Sequence, residues 1–180
     1  KPVLEMGPDG IVFPMVNSYE EAKNAVRACM YPPKGIRGFG PRRAIQFGNM
    51  NIQEYFDTVD DELLKIIQIE HIDAVRDLDR ILSIDEIDAF VIGPCDLASS
   101  LGKIGDWNDS EVSDTIQLII DKVQEAGKPI GVSYGACSYE ELLSWRARGV
   151  DMISIAADTD LLLLGARRLL NQMTEVFAAR

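Results

Sequence analysis

The chain has 180 residues, 47% hydrophobic and 26% charged, which is one domain's worth of sequence with enough apolar content for a sizeable core. A net charge of −11 and a pI near 4.5 argue against nucleic acid or an anionic membrane as partner, because phosphate binding needs a basic face. No apolar run approaches the roughly 20 residues that span a bilayer and no signal peptide is visible, so the expected location is the cytoplasm. Cys29, Cys95 and Cys137, odd in number and without CxxC spacing, fit reduced thiols in that compartment.

The sequence opens without Met in KPVLEMG, which reads as the last turns of a helix stopped by Gly7 and Pro8, and an earlier segment is expected to precede it. Residues 10–16, GIVFPMV, form a strand too apolar to have a solvent face. Ser18-Tyr19-Glu20-Glu21 is a capping box, followed by a helix whose buried stripe is Ala22, Ala25, Val26 and Cys29. Residues 31–41, YPPKGIRGFGP, are a loop whose prolines and glycines specify its shape, either a functional loop on a rigid barrel or a plain solvated connection. Arg37, Arg42 and Arg43 flank it, either facing a substrate's distal carboxylate or serving as surface and interface groups. Residues 42–61 read as short helical pieces.

Residues 66–102 organise the rest. Two apolar strands, IIQI at 66–69 and AFVI at 89–92, are joined by an amphipathic helical segment, and each delivers one acid at its C-terminal edge. Glu70 closes the first strand and Asp96 sits just past the second in Gly93-Pro94-Cys95-Asp96. In a βαβ unit both carboxylates reach the crevice above the strand C-termini, where α/β folds bind ligands. Two carboxylates, with the remaining positions left to water and substrate oxygens, suit Mg²⁺ or Mn²⁺. A single His argues against an all-protein zinc site, although Zn²⁺ or Co²⁺ can also occupy two carboxylates and a chelating substrate. With 29 acidic residues in the chain, the same pair is equally readable as caps or solvated acids.

A Gly-rich loop follows at 99–108, then a helix at 110–126 with Val112, Ile116, Ile119, Ile120 and Val123 on one stripe. The strand KPIGVS at 128–133 leads to a helix at 139–148 that offers Leu142, Leu143 and Trp145 for burial. VDMISIA at 150–156 is the last strand, and a long helix covers 160–179. Five strands alternating with helices mean a parallel sheet, doubly wound or closed as a (β/α)₈ barrel. A barrel typically takes about 250 residues, so the expectation is a single partial barrel over residues 1–180 that lacks its first three βα units. An open five-stranded sheet is the alternative.

Given LEMGPDGIVFPMV, YPPKGIRG, IIQIE, IGPCDLASSLG and GVDMISIAADTDLL in this order, the sequence resembles the HpcH/HpaI family of metal-dependent pyruvate aldolases over residues 1 to about 170. The resemblance implies a TIM barrel of the phosphoenolpyruvate/pyruvate type. It implies that Glu70 and Asp96 bind the divalent metal, that Gln68 contacts the substrate, and that the backbone amides of Cys95 and Asp96 hold the pyruvate carboxylate. Many members carry Ala where this chain has Cys95, and a buried small thiol there is a mild change. Glu5 matches an acid, usually Asp, that orients a catalytic His; that His and an Arg belong to N-terminal strands this sequence does not contain, and Glu5 is otherwise an exposed residue near a helix end. His71, the only His, follows Glu70 directly, but strand alternation turns it away and it reads as structural.

The implied function is cleavage of a 4-hydroxy-2-oxo acid to pyruvate and an aldehyde by way of a metal-bound enolate. A citrate lyase-like or malyl-CoA lyase-like reaction is one alternative, although this acidic chain offers few basic residues for CoA phosphates. A non-catalytic fragment retaining metal-binding and assembly surfaces is the other. The resemblance also implies a homo-oligomer, a hexamer in which C-terminal helices, here residues 161–176, pack across subunits.

Overall fold

A computed structural model describes residues 1–135 and 137–178. Five strands, β1 (Gly10–Phe13), β2 (Leu64–Ile69), β3 (Ala89–Ile92), β4 (Ile130–Ser133) and β5 (Met152–Ser154), form one sheet in the order β1-β2-β3-β4-β5, every pair parallel. A doubly wound sheet reverses its strand order at a switch point, whereas this one never does. Successive strands laid side by side, with helices between them, are the winding of a TIM-type barrel.

The helices are α1 (Tyr19–Cys29), α2 (Ile52–Glu62), α3 (Ile72–Arg76), α4 (Leu78–Leu82), α5 (Pro94–Ser100), α6 (Ser110–Glu125), α7 (Tyr139–Ala147) and α8 (Asp158–Ala178), with 3-10 turns at Leu4–Met6 and Gln46–Gly48. Among the described residues, no helix is long and apolar enough to cross a membrane. The core lies between the convex face of the sheet and these helices. Ile67, Ile69, Phe90, Ile92, Ile130 and Val132 from the strands pack with Leu78, Ile81 and the expected stripe of α6, Val112, Ile116, Ile119, Ile120 and Val123, all at most 1% exposed.

Several local expectations need correction. β1 ends at Phe13 rather than running to residue 16, and it has an open side: Val12 is 44% exposed on the concave face, which no helix covers among the described residues. The helix expected between β2 and β3 is two short ones, divided at Asp77, whose carboxylate accepts the Tyr19 N–H at the start of α1 (2.6 Å). α5 starts at Pro94, a residue suited to a first helical turn, in a stretch to which no helix is assigned from the sequence. In α7 Trp145 is buried but Leu143 is exposed. At α1, Ser18 Oγ accepts the Glu21 N–H, while the Glu21 carboxylate reaches one residue further back, to the Asn17 N–H (2.6 Å).

The loop at 31–41 also has a clear job. The N–H groups of Ile36 and Arg37 donate to the carbonyls of Arg27 and Met30, both at 2.8 Å, closing the C-terminal end of α1. A Cβ on Gly35 would come 2.2 Å from the Met30 carbonyl oxygen, so only glycine permits this approach. The loop precedes β2 and therefore lies at the N-terminal end of the sheet, where barrels keep stabilising features rather than active sites.

Phe90 is fully buried at the centre of the sheet, so Phe90→Ala is expected to remove about 3–5 kcal/mol of stability by urea unfolding. A loss below about 1 kcal/mol would show that the core closes around the cavity.

Candidate metal and ligand site at the strand ends

Side chains on β2 alternate. Ile67 and Ile69 enter the core, while Ile66 and Gln68 turn to the concave face, where they join Val12, Val91 and Met152 around a cavity of ≈ 460 Å³. Two residues beyond Gln68, Glu70 falls on the same side. The pairing of Ile69 with Ile92 continues as a hydrogen bond from Gly93 N–H to the Ile69 carbonyl (3.1 Å), which sets Gly93 across from Glu70.

That juxtaposition is tight. Glu70 is 2% exposed, and a Cβ on Gly93 would stand 2.5 Å from its Oε2 and 2.9 Å from Gln68 Nε2. Met15 N–H donates to Glu70 Oε1 at 2.6 Å, and the Gln68 side-chain amide donates to Oε2. A buried carboxylate is costly unless its oxygens are satisfied, and here each oxygen has a donor. Asp96 lies three residues past Gly93 in the first turn of α5, exposed on the same edge of the sheet. Cys95 is exposed as well, so the expectation of a buried thiol is corrected: as the first turn leaves the sheet, its side chain points outward instead of into the core.

The donors suit a hard cation. Among the described residues, no three His, Cys, Asp or Glu side chains gather as a metal cluster, and Glu70 and Asp96 are the acids on adjacent βα turns. Neither remaining thiol is an activated nucleophile. Burial pushes the Cys29 thiol up, and burial followed by the charge of Glu141 does the same at Cys137.

Other candidates lie elsewhere. Glu5 precedes β1 and so stands at the N-terminal end of the sheet, opposite the acids within this chain. Its carboxylate accepts from Arg37 Nη2 (3.3 Å) and from the Arg42 N–H (3.2 Å). Arg37 is not a surface group: its side chain is 1% exposed, it donates to the Tyr55 hydroxyl (2.9 Å), and its guanidinium lies 4.6 Å from the Tyr31 ring centre. Arg42 and Arg43 are exposed. His71 caps α3, its Nδ1 accepting the Asp73 N–H (3.2 Å), in keeping with a structural role. A cavity of ≈ 450 Å³ beside α7 is lined by Trp107, Tyr134, Glu141, Trp145 and Arg148, but Glu141 is spent in the α7 capping box and Arg148 on Gln117 and the Ser113 carbonyl.

Sequence reasoning missed two contributors. Gly93 makes room for Glu70, and the signal for it was a glycine following a strand in register with the acid. Met15 supplies a backbone N–H, which no side-chain pattern reveals.

Parallel strands wound in one direction, with a buried acid and a second acid on adjacent βα turns, define a TIM-type protein. The chain matches the family model described as HpcH/HpaI aldolase/citrate lyase over residues 1–163, and it belongs to that family. It is 34% identical over 170 residues to a hydroxypyruvate/pyruvate aldolase of Roseovarius nubinhibens, covering 94% of this chain and 65% of the relative. A 4-hydroxy-2-oxo-heptane-1,7-dioate aldolase of Klebsiella pneumoniae is also 34% identical, over 178 residues, with 97% and 65% covered. The crystal structure of a HpcH/HpaI aldolase/citrate lyase family protein from Burkholderia cenocepacia superimposes with a TM-score of 0.86 at 27% identity, over 96% of this chain and 67% of that one. The chain thus spans 65% of the length of these two curated relatives.

Gly93→Ala is expected to cost about 1–3 kcal/mol in thermal unfolding, because the atoms it meets belong to a hydrogen-bonded buried carboxylate and not to a free side-chain end. An unchanged melting temperature would mean that Glu70 swings aside freely.

Proposed function

We propose that this chain carries the cation-binding and 2-oxo-acid-binding part of an aldolase that cleaves a 4-hydroxy-2-oxo acid to pyruvate and an aldehyde. The observation that carries the reading is the buried Glu70 carboxylate at the end of β2, set against Gly93 with Asp96 on the next βα turn. Relatives named as aldolases of 2-oxo acids support the substrate class. Glu70 and Asp96 would hold Mg²⁺ or Mn²⁺, with Co²⁺ or Zn²⁺ as substitutes. The bound cation would supply Lewis-acid polarisation of the 2-oxo group.

The chain's own residues bind and orient. Cys95 and Asp96 lie in the first turn of α5, where backbone N–H groups lack intrahelical acceptors and favour an anion such as the substrate carboxylate. Gln68, on the concave face beside Glu70, has its amide NH₂ on Glu70 Oε2 and its carbonyl oxygen available to a substrate donor. Ile66, Val91 and Met152 give the site an apolar floor. His71 is occupied as a cap; an orienting role for Glu5 toward a base outside these residues would be exercised from the opposite end of the sheet, where its carboxylate already accepts from Arg37 and the Arg42 N–H.

Oxaloacetate decarboxylation and pyruvate methyl-proton exchange test this reading, measured with Mn²⁺, with Mg²⁺ and with chelator. Metal-dependent turnover that vanishes in Glu70→Ala is the expected result. Mn²⁺ binding lost in Glu70→Ala without turnover would support the retained-binding fragment instead, and no Mn²⁺ binding at all would sink the aldolase reading for this chain.

We also propose a homo-oligomer, with a hexamer as the assembly, built through α8. None of the 21 residues of α8 is buried, and Leu161, Leu162, Leu163, Leu164, Leu169 and Leu170 are each at least 51% exposed. A helix this apolar on several faces is normally covered. Light scattering should find an oligomer that Leu164→Glu with Leu169→Glu dissociates; a monomeric parent chain would contradict the proposal.

A further inference from the structure

We propose that Met15 is a positioning residue for the Glu70 carboxylate, and that it acts through a backbone held in the left-handed region. The inference rests on the reading of Glu70 as a cation ligand and concerns what aims that ligand. Met15 has φ 53°, a conformation that residues with a Cβ seldom adopt. The other two non-glycine residues with positive φ, Gln46 and Phe47, belong to the 3-10 turn at the far end of the sheet. Packing of the Met15 side chain does not explain the conformation, because it is 52% exposed.

The backbone explains it. Phe13 is fixed by its register with Ile67, and Val16 is anchored in the core at 5% exposure just before α1 begins. Between those anchors, φ of Met15 sets the plane of the Pro14–Met15 peptide and therefore the direction of its N–H. That N–H meets Glu70 Oε1 at 2.6 Å. Among the described residues, the one other donor to this buried carboxylate is the Gln68 amide, on the opposite oxygen. Removing the Met15 N–H would strand Oε1 and free the carboxylate to rotate. Strain held at such a point is the usual mark of a site whose geometry is imposed by its surroundings.

The test ranks substitutions by their tolerance of left-handed backbone. Met15→Gly and Met15→Asn keep the N–H where it is, whereas a β-branched residue forces the backbone away. Mn²⁺ affinity, followed by electron paramagnetic resonance, should stay within about twofold for the Gly and Asn variants and fall about 10–100-fold for Met15→Ile, with circular dichroism showing all three folded. Equal affinity in a folded Met15→Ile chain, or a loss in Met15→Gly as large as in Met15→Ile, would overturn the proposal.

A metal-free measurement separates this claim from the one it rests on. In the apo chain the residue-15 amide proton should resonate far downfield and move upfield in both Glu70→Gln and Met15→Ile. If Mn²⁺ fails to bind the parent chain while that shift is present, the ligand reading fails and the positioning contact stands. If the shift does not respond to Glu70→Gln, the positioning itself is refuted.

Discussion

One buried carboxylate constrains the ligand-binding end of this molecule. Glu70 is almost wholly removed from water at the end of β2, and an unpaired charge there would be expensive. Its two oxygens are met by a backbone N–H from the end of β1 and by a side-chain amide from β2 itself, and a glycine at the end of β3 leaves the space it occupies. Three consecutive strands must therefore hold their relative register. A shift of one residue would place a side chain where Gly93 is and turn Gln68 into the core.

The two ends of the sheet are built for different purposes. At the C-terminal end the polar groups are sparse: Asp96 is exposed on the first turn of α5, Gln68 is half-buried, and Glu70 is buried against its two donors. At the N-terminal end they are dense and engage one another, although Arg37 Nε and the Tyr31 hydroxyl are buried without a hydrogen-bond partner among the described residues. Arg37 is enclosed by Glu5, Tyr55 and the Tyr31 ring, and Lys65 by the carbonyls of Asp60 and Leu63 with Asp88 beside it. Burial pushes the Tyr31 phenol up, so it stays neutral beside the guanidinium. Such clusters fix the loops at the base of the sheet.

The assignment to the HpcH/HpaI family and the site geometry reinforce each other while answering different questions. Family membership places the chain among relatives named as aldolases. The geometry specifies which atoms of this chain are free to take part. Cys95 illustrates the difference: its thiol is exposed beside Asp96, yet the role proposed for it uses only the backbone, so the side chain is free to vary.

The sequence by itself determined the strand and helix rhythm, the stripe of α6, and the strand-end positions of Glu70 and Asp96, because periodicity and strand-end position are local properties that survive without knowledge of neighbours. It also carried the family motifs. Only the tertiary structure decided that the strands lie in unbroken order, that the loop at 31–41 closes α1 at the far end of the sheet from the acids, that Arg37 is buried, and that Cys95 is not. The same holds for Gly93 and Met15. Their roles are steric absence and a backbone N–H, which acquire meaning only when β1, β2 and β3 are brought side by side, 55 residues of chain separating Met15 from the carboxylate it meets.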